Sequence, residues 1–202
     1  MNERPPTIYI VDDDEWILWL YQRLLWDVRA VFKVFRSARE FLDTYVPGFQ
    51  ECLICDLQMP ELGGLDLQRE LIATQARLPI IFVSAYSRVP SVVEAIKGGA
   101  LDFLEKPVDG AHLQEKVRKA LGQSRQLHFE HEQRTARQAR LALLTQKERL
   151  IAEQVVAGHS SRQISDVLGI SVRTVENHRA RILQKLGVNS SVELVHLLYE
   201  RH

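Results

Sequence analysis

The stretch Leu53-Ile54-Cys55-Asp56-Leu57-Gln58-Met59-Pro60 decides the fold that the sequence predicts. It is a short apolar run that ends in a carboxylate and breaks into a loop at Met59-Pro60, which is typical of a buried parallel strand. In open α/β sheets, ligands bind beyond the carboxyl ends of the strands. Asp56 stands at such an end, so we expect its side chain to face a shared crevice.

Three other apolar runs end in polar residues in the same way. Residues 7–11 run into Asp12, Asp13 and Asp14, residues 78–83 run into Ser84, and residues 100–104 run into Glu105 and Lys106. Short strands alternate with helical patterns about five times in the first half of the chain, which predicts an α/β domain with a doubly wound parallel sheet. The crevice would then hold carboxylates, a hydroxyl and an ammonium. That set suits a divalent cation together with a phosphoryl group carried on an aspartate.

The predicted site gives each of these side chains a role. Asp13 and Asp56 could bind Mg²⁺ directly and Asp12 through a water molecule, because Mg²⁺ takes about six oxygens and keeps several waters. Asp56 is the expected phosphoryl acceptor, since a carboxylate is a suitable acceptor once a metal neutralises the incoming charge. Lys106 would pair with a phosphoryl oxygen, and Ser84 would donate a hydrogen bond.

These motifs resemble a response-regulator receiver domain over residues 1–122. They are Val-Asp-Asp-Asp at 11–14, Asp56 with Met59-Pro60 and Gly63-Gly64, Ser84-Ala85, and Phe-Leu-Glu-Lys-Pro at 103–107. The resemblance implies a flavodoxin-like sheet, phosphotransfer from a sensor histidine kinase, and Mg²⁺ bound also by the backbone carbonyl of Gln58. It further implies that Ser84 and Phe103 reposition on phosphorylation. No enzymatic activity is expected beyond self-phosphorylation and autodephosphorylation at Asp56.

The sequence departs from such receivers at two places. They often have a glycine where Arg29 stands, and Trp16, Trp19 and Trp26 are unusual in the first helix. We interpret the tryptophans as core or edge packing, with a partner surface as the alternative.

The second half of the chain is basic. Residues 1–122 carry 14 Lys and Arg against 18 Asp and Glu, whereas residues 123–202 carry 12 against 8. A basic half joined to an acidic one favours nucleic acid as the partner of the basic half. Half of its excess lies in residues 123–140, which we predict to be a solvated helical linker rather than a strong coiled coil.

The tail is predicted to be all-α. Helix starts with a hydroxyl and then Glu or Gln three residues later, the capping-box pattern, occur at Thr145…Glu148, Ser160…Gln163 and Ser190…Glu193. Between the second and third, a short helix, a turn at Gly169 and a helix capped by Ser171 predict a helix-turn-helix. A helical bundle for protein contacts is the alternative.

The second helix of this motif carries polar residues on one side that suit phosphates and base edges. The candidates for DNA contact are Arg162, Arg173, Thr174, Glu176, Asn177, Arg179, Arg181 and Lys185. Residues 144–198 resemble a LuxR/NarL-type output domain. The matching residues are Leu144-Thr145-Gln146-Lys147-Glu148, Gly158, Ile164, Leu168-Gly169-Ile170-Ser171, Thr174-Val175, His178, Ile182 and Lys185-Leu186-Gly187-Val188.

Together the two resemblances are to a FixJ-type regulator, with a receiver (1–122), a linker (123–140) and a helix-turn-helix domain (141–202). We expect phosphorylation-controlled binding of double-stranded DNA that regulates transcription, with RNA polymerase as a further candidate partner. Val192 and Tyr199 are the expected contacts of a homodimer that forms on phosphorylation, because the last helix has more apolar residues than one buried stripe requires.

Two other classes of protein remain open. Asp12-x-Asp14 after a strand also fits a haloacid-dehalogenase phosphatase, in which Asp12 rather than Asp56 would carry the phosphoryl group. A signalling adaptor would use the tail to bind protein. No apolar run approaches the ~18 residues of a membrane span and no signal-peptide pattern is present, so we expect a cytoplasmic protein without membrane contact. Cys52 and Cys55 are expected to be buried small residues, since they point to opposite faces of a strand.

Overall fold

The computed structural model describes residues 5–85 and 88–199, with the backbone alone at the last of these. The chain divides into two compact units, Met1–Glu130 and His131–His202. Within the described ranges, no helix has both the length and the apolar character needed to cross a membrane.

The first unit is built on a parallel sheet of five strands in the order β2-β1-β3-β4-β5. The strands are β1 (Thr7–Val11), β2 (Val31–Phe35), β3 (Glu51–Cys55), β4 (Ile80–Ser84) and β5 (Asp102–Glu105). The helices are α1 (Glu15–Leu24), α2 (Ala38–Thr44), α3 (Gly64–Ala73), α4 (Val89–Lys97) and α5 (Gly110–Ala142), whose last part belongs to the second unit. This is the flavodoxin-like strand order, so the predicted fold is confirmed.

The two faces of the sheet are buried against different helices. Cys52 lies in the cluster that includes residues of α1 and α5, whereas Cys55 lies in the cluster that includes residues of α2, α3 and α4. Both cysteines are free and fully buried, as the spacing predicts. Burial is the main cause that raises the pKa of both thiols, which keeps them unreactive.

The second unit is helical, as predicted. Its helices after α5 are α6 (Gln146–Val156), α7 (Ser161–Leu168), α8 (Val172–Leu186) and α9 (Ser191–Tyr199). The capping boxes at Thr145 and Ser160 are both formed. The third pattern forms only in part: the Ser190 hydroxyl accepts from the Glu193 N–H (3.1 Å), but the Glu193 carboxylate accepts from Asn189 (3.0 Å) and not from Ser190.

Trp26, which we expected in the first helix, lies beyond its end. Helix α1 ends at Leu24, and a single 3₁₀ turn follows over Trp26–Val28. Arg29 then adopts a left-handed conformation with φ of 50° and ψ of 51°. Glycine reaches this region without steric cost, which explains why glycine suits this position and why arginine is strained there.

The tryptophans do not pack in the core, so that part of the interpretation was wrong, while edge packing and a partner surface stay predictions. Trp16, Trp19 and Trp26 are 59%, 55% and 73% exposed. Leu18 and Tyr21 form the buried stripe of α1, and the tryptophans lie outside it. Trp16 and Trp19 pair edge to face, with ring centroids 5.6 Å apart.

A buried carboxylate organises the amino-terminal end of the sheet. Glu51 is 3% exposed and accepts hydrogen bonds from the hydroxyls of Tyr45 (2.6 Å) and Tyr9 (3.3 Å) and from the Gly48 N–H (2.9 Å). The Glu51 N–H donates to the Ser124 hydroxyl in α5 (3.0 Å). Burial and the adjacent carboxylate raise the pKa of Tyr9 to about 12, so its hydroxyl remains a donor. The network joins β1, β3 and α5 to Tyr45, the residue that follows α2. It gives the buried Glu51 side chain hydrogen-bond partners that apolar packing alone would not supply.

Gly64 begins α3 in a space that admits no side chain. A Cβ there would meet the Asp56 carbonyl oxygen and would lie 2.8 Å from Phe82 Cε1. We expect Gly64→Ala to lower the free energy of unfolding of the first unit by about 1–3 kcal/mol, since the backbone must move. Urea unfolding measures this change.

Gly122 provides the matched control, because it lies within α5 and a Cβ at this position would have no neighbour within 4 Å in the part of the chain that the structure describes. Gly122→Ala is expected to stabilise the protein by about 0.4–1 kcal/mol by restricting the unfolded chain. Equal effects of the two substitutions would contradict the steric argument.

Candidate phosphoryl site and candidate DNA interface

Two buried carboxylates share one ammonium at the carboxyl edge of the sheet. Asp12 follows β1 and Asp56 follows β3, and they are 2% and 7% exposed. The Nζ of Lys106, which follows β5, lies 2.7 Å from Asp12 Oδ2 and 2.9 Å from Asp56 Oδ1. The structure thus brings together three of the residues that the strand ends predict.

The electrostatics of this group follow from its burial. Burial raises the pKa of Asp12, while the hydrogen bond from Lys106 acts in the opposite direction and the Asp56 charge adds to the rise. Burial alone would lower the pKa of Lys106, but hydrogen bonds to Asp12 and Asp56 outweigh it and the pKa is raised. Lys106 therefore stays a cation beside the two carboxylates.

The three consecutive aspartates have different surroundings. Asp12 faces Lys106, and its Oδ1 accepts the Asp14 N–H at 3.0 Å. Asp13 is exposed. Asp14 is the N-cap of α1, where its side chain accepts the Trp16 N–H at 2.8 Å. Asp14 thus has a structural task at the start of a helix.

The loop after β3 holds the Asp56 carboxylate in place. Asp56 Oδ2 accepts the Gln58 N–H at 2.7 Å, and the Asp56 N–H continues the sheet by donating to the Val11 carbonyl at 2.9 Å. The Gly64 N–H closes the loop on the Leu57 carbonyl at 3.0 Å. These bonds fix the carboxylate at the mouth of the crevice.

The predicted switch residues lie on the neighbouring strands. Ser84 ends β4 and is 1% exposed, and its carbonyl accepts the Lys106 N–H at 3.0 Å. Phe103 lies in β5 and is half-buried, with its ring centroid 6.5 Å from that of Phe82. Ser84 therefore lies on the strand next to β5, and Phe103 lies on β5 itself, which Lys106 follows.

The donors at this edge suit Mg²⁺. Among the residues that the structure describes, no three His, Cys, Asp or Glu side chains converge as a closed metal cage. Asp12 and Asp56 instead form an open pair of carboxylates, one of them almost fully buried. Mg²⁺ is commonly bound by one or two carboxylates and several waters, so an open pair fits it better than a dedicated cage.

The second unit contains the predicted helix-turn-helix. Helix α7 ends at Leu168 and is followed by Gly169, a left-handed C-cap with φ of 63°. The Ser171 hydroxyl caps α8 by accepting the Thr174 N–H at 3.1 Å. Val175, Ile182 and Leu186 form the buried side of α8, as predicted. The candidates that the structure leaves exposed are Arg162, Arg173, Glu176, Asn177, Arg181 and Lys185, while Thr174 and Arg179 are half-buried.

Two predicted phosphate contacts have partners inside the unit. The Arg179 guanidinium donates to the hydroxyls of Ser161 (3.1 Å) and Ser191 (3.3 Å). Lys185 Nζ pairs with Glu148 at 2.7 Å and donates to the Leu143 carbonyl at 3.4 Å. Their contact with DNA stays a prediction, and any such contact competes with these bonds.

Glu148 has a larger role than its capping pattern indicates. It is 4% exposed, and its Oε2 accepts from the Thr145 N–H (2.8 Å), the Thr145 hydroxyl (2.9 Å) and Lys185 (2.7 Å). The hydrogen bond from Lys185 is the main cause that lowers the pKa of the Glu148 carboxyl to about 2. Sequence reasoning missed the pair because Glu148 and Lys185 lie far apart in the chain.

Comparison with known families assigns each half of the chain to a domain family. The model of the response regulator receiver domain matches residues 8–118, and the model of the bacterial regulatory proteins of the luxR family matches residues 142–198. The chain therefore belongs to the response regulators, with a receiver domain followed by a LuxR-family DNA-binding domain. A receiver implies a histidine kinase as its partner, and receivers typically bind Mg²⁺ at acidic residues.

Individual relatives extend over nearly the whole chain. It is 38% identical over 196 residues to the transcriptional regulatory protein TdiR of Thauera aromatica, covering 95% of this chain and 85% of TdiR. It is 37% identical over 190 residues to the transcriptional regulatory protein FixJ of Azorhizobium caulinodans, covering 94% and 90%. Among solved structures, the response regulator StyR matches with a TM-score of 0.90 and 32% identity, over 98% of this chain and all of the other. Full-length FixJ from B. japonicum matches with a TM-score of 0.57 and 34% identity, over 95% and 94%. This protein is thus a transcriptional regulator of the two-component type.

The Glu148–Lys185 pair predicts how the second unit responds to acid. A carboxyl whose pKa is about 2 when folded and 4.5 ordinarily stabilises the fold above pH 4.5, and this contribution disappears as the pH falls towards 2. We expect Glu148→Gln to lower the melting temperature near neutral pH by roughly 4–8 °C, as for a loss of about 1 kcal/mol. The difference from wild type should shrink between about pH 5 and 2.

Thermal unfolding of the full chain by far-ultraviolet circular dichroism measures both effects. Glu153→Gln, on the exposed side of the same helix, is the control and should match wild type throughout. A Glu148→Gln deficit that stays constant down to pH 2 would contradict the role of the ion pair.

Proposed function

We propose that Asp56 is the phosphoryl acceptor of this response regulator. The observation that supports the proposal is the Lys106 ammonium, which contacts Asp12 and Asp56 together at the edge where strand ends converge. An oxygen of Asp56 attacks the phosphorus, and the bond between phosphorus and the histidine nitrogen of the kinase breaks. The ammonium of Lys106 then pairs with a phosphoryl oxygen, since it already lies 2.9 Å from the attacking carboxylate.

Magnesium is part of the proposed site. Asp12, Asp13, Asp56 and the backbone carbonyl of Gln58 would hold Mg²⁺, which when bound neutralises charge on the phosphoryl oxygens. Two observations support this site: Asp12 is buried, and the Gln58 N–H orients the Asp56 carboxylate by donating a hydrogen bond to it.

The phosphoryl group leaves by hydrolysis in the same site, which is the self-catalysed dephosphorylation we propose for this chain. Water attacks the phosphorus, phosphate departs, and Asp56 is regenerated. Ser84 and Phe103 would reposition while the group is present, with Lys106 responding to an added charge of about −1.5 to −2. The buried position of Ser84 beside the Lys106 backbone supports this coupling between Ser84 and Lys106.

The output of this switch is DNA binding by the exposed side of α8. Arg173, Glu176, Asn177 and Arg181 would face the major groove, and Arg162 would reach the phosphate backbone. Their exposure on one helix, opposite its buried side, supports this assignment. The protein would act in the cytoplasm, where DNA is accessible, and RNA polymerase is a candidate partner there.

We also assign the last helix to dimer formation on DNA. Val192 is 66% exposed, whereas Leu194 in the same helix is 2% exposed and belongs to the core. The Tyr199 side chain, the second predicted contact, lies outside the described residues. Two-fold pairing through α9 would place two α8 helices on adjacent half-sites, and pairing of phosphorylated receivers would raise the local concentration of the output domains.

The acceptor assignment is tested by labelling with acetyl phosphate and Mg²⁺. Asp56→Asn should abolish acyl phosphate formation, because an amide cannot replace the attacking carboxylate. Mapping of the phosphorylated peptide distinguishes this assignment from the phosphatase alternative, in which Asp12 is labelled. Asp14→Asn serves as the control, since Asp14 caps α1, and it should keep its labelling. Full labelling of Asp56→Asn would rule out the assignment.

The dimer assignment is tested by light scattering with and without Mg²⁺ and beryllofluoride. We expect wild type to be largely monomeric at rest and dimeric when activated on a duplex with two half-sites. Val192→Glu places a charge in the proposed contact and should weaken binding to that duplex by at least about tenfold. Val46→Glu, at an exposed valine (73%) of the first unit, is the control and should bind as wild type does. Binding by Val192→Glu as tight as that of wild type excludes α9 as the contact.

A further inference from the structure

The end of α5, residues 131–142, is fastened to two other helices of the second unit by arginines. We name residues 131–142 the linker segment; they overlap the end of the linker predicted at 123–140. Arg137 donates from Nε to the Leu197 carbonyl (2.6 Å) and from Nη2 to the Leu198 carbonyl (2.7 Å), both in α9. Arg140, three residues later, donates from Nε to the Leu186 carbonyl at the end of α8 (3.0 Å), and its Nη2 contacts the same oxygen.

These carbonyls are the ones that a helix cannot satisfy by itself, since the last four of any α-helix lack an intrahelical partner. At the end of α8, the Gly187 N–H bonds to Gln184 (3.2 Å) and the Val188 N–H bonds to Leu183 (3.0 Å). Arg140 supplies the donor for Leu186. Its positive charge also stands at the negative end of the helix dipole, where it is favourable.

A second contact runs in the opposite direction, from a side chain of α8 to the backbone that follows α5. Lys185, in the last turn of α8, donates to the Leu143 carbonyl just beyond the linker segment (3.4 Å) and pairs with Glu148 of α6 (2.7 Å). The last turn of α8 is therefore held from two directions. The exposed residues that suit DNA, such as Arg173 and Glu176, lie at the other end of the same helix. Because α8 is one continuous helix, the contacts that fix its last turn also fix the orientation of those side chains.

We propose that Arg140 is a positioning residue for DNA recognition: it orients α8 by binding its terminal carbonyl and makes no contact with DNA itself. Arg137 holds α9 in the same manner. Two of the three arginines of the linker segment thus cap helices, although the composition of the segment resembles that of a DNA-binding arm. The proposal extends the DNA-binding function of the family to residues outside the face that reads the bases.

The test compares binding to two duplexes of equal length. One is recovered from a random-sequence pool by selection with the wild-type chain, and the other has mixed sequence. Fluorescence anisotropy of the full chain, activated with Mg²⁺ and beryllofluoride, gives the affinity over a series of salt concentrations. Circular dichroism fixes a temperature at which each variant is fully folded, so that loss of stability does not enter the binding measurement.

We expect Arg140→Ala to weaken binding to the selected duplex by about tenfold. The slope of log affinity against log salt concentration should not change, because no phosphate contact is lost. Binding to the mixed-sequence duplex should change little, since it depends on phosphate contacts rather than on the orientation of base-reading side chains.

Three other outcomes overturn the proposal. A slope smaller by about 0.9 with equal weakening on both duplexes would make Arg140 a phosphate contact. A lower melting temperature with unchanged affinity and slope would make it a purely structural cap. Failure of the wild-type chain to bind either duplex would overturn the proposal together with the DNA-binding face on which it rests.

Arg134 gives a matched control, since it is an exposed arginine on the same segment, one helical turn before Arg137. Arg134→Ala should leave affinity, slope and melting temperature unchanged.

If Arg140→Ala is unfolded at every accessible temperature, Arg140→Gln retains an N–H donor without the charge. That variant should lose less affinity at an unchanged slope, and a reduced slope would again overturn the proposal.

Discussion

One ammonium between two buried carboxylates is the interaction on which the receiver site depends. Asp12 and Asp56 are nearly inaccessible to water, and two neighbouring charges of like sign in such a place would repel each other. Lys106 contacts both and remains charged because both carboxylates raise its pKa above the effect of burial. The parallel sheet makes this possible, since every strand ends at the same edge and three distant parts of the chain can meet there.

The convergence of all strand ends at one edge also explains why much of the site could be predicted from the sequence. Apolar runs that end in Asp12, Asp56 or Lys106 are local patterns, and the sheet converts their common position at strand ends into proximity in space. Helix starts at Thr145 and Ser160 were predictable for a similar reason, because each cap bonds to a backbone N–H only three residues away.

The features that were not predictable depend on contacts between distant segments. Arg179 and Lys185 have the composition and spacing of phosphate contacts, yet their charged groups reach side chains of α6, α7 and α9. Nor does hydropathy indicate that Trp16 and Trp19 lie on the open side of α1, because an apolar residue is compatible with either side until the position of the sheet is known. In these cases, residue type was informative about chemistry but not about the partner.

The buried Glu51 network has a consequence for strand registration. Strand β3 and nearly all of β1 are buried on both faces, so hydrophobicity alone does not specify their register. A slip of two residues keeps each side chain on its face, and hydrophobicity cannot exclude it. Such a slip would, however, move the Glu51 carboxylate away from the hydroxyl of Tyr9, with which it bonds in the observed pairing of Thr7 with Glu51. The hydrogen bond between Tyr9 and Glu51 at the amino-terminal end of the sheet therefore keeps Val11 paired with Cys55 at the carboxyl end. This pairing places Asp12 beside Asp56.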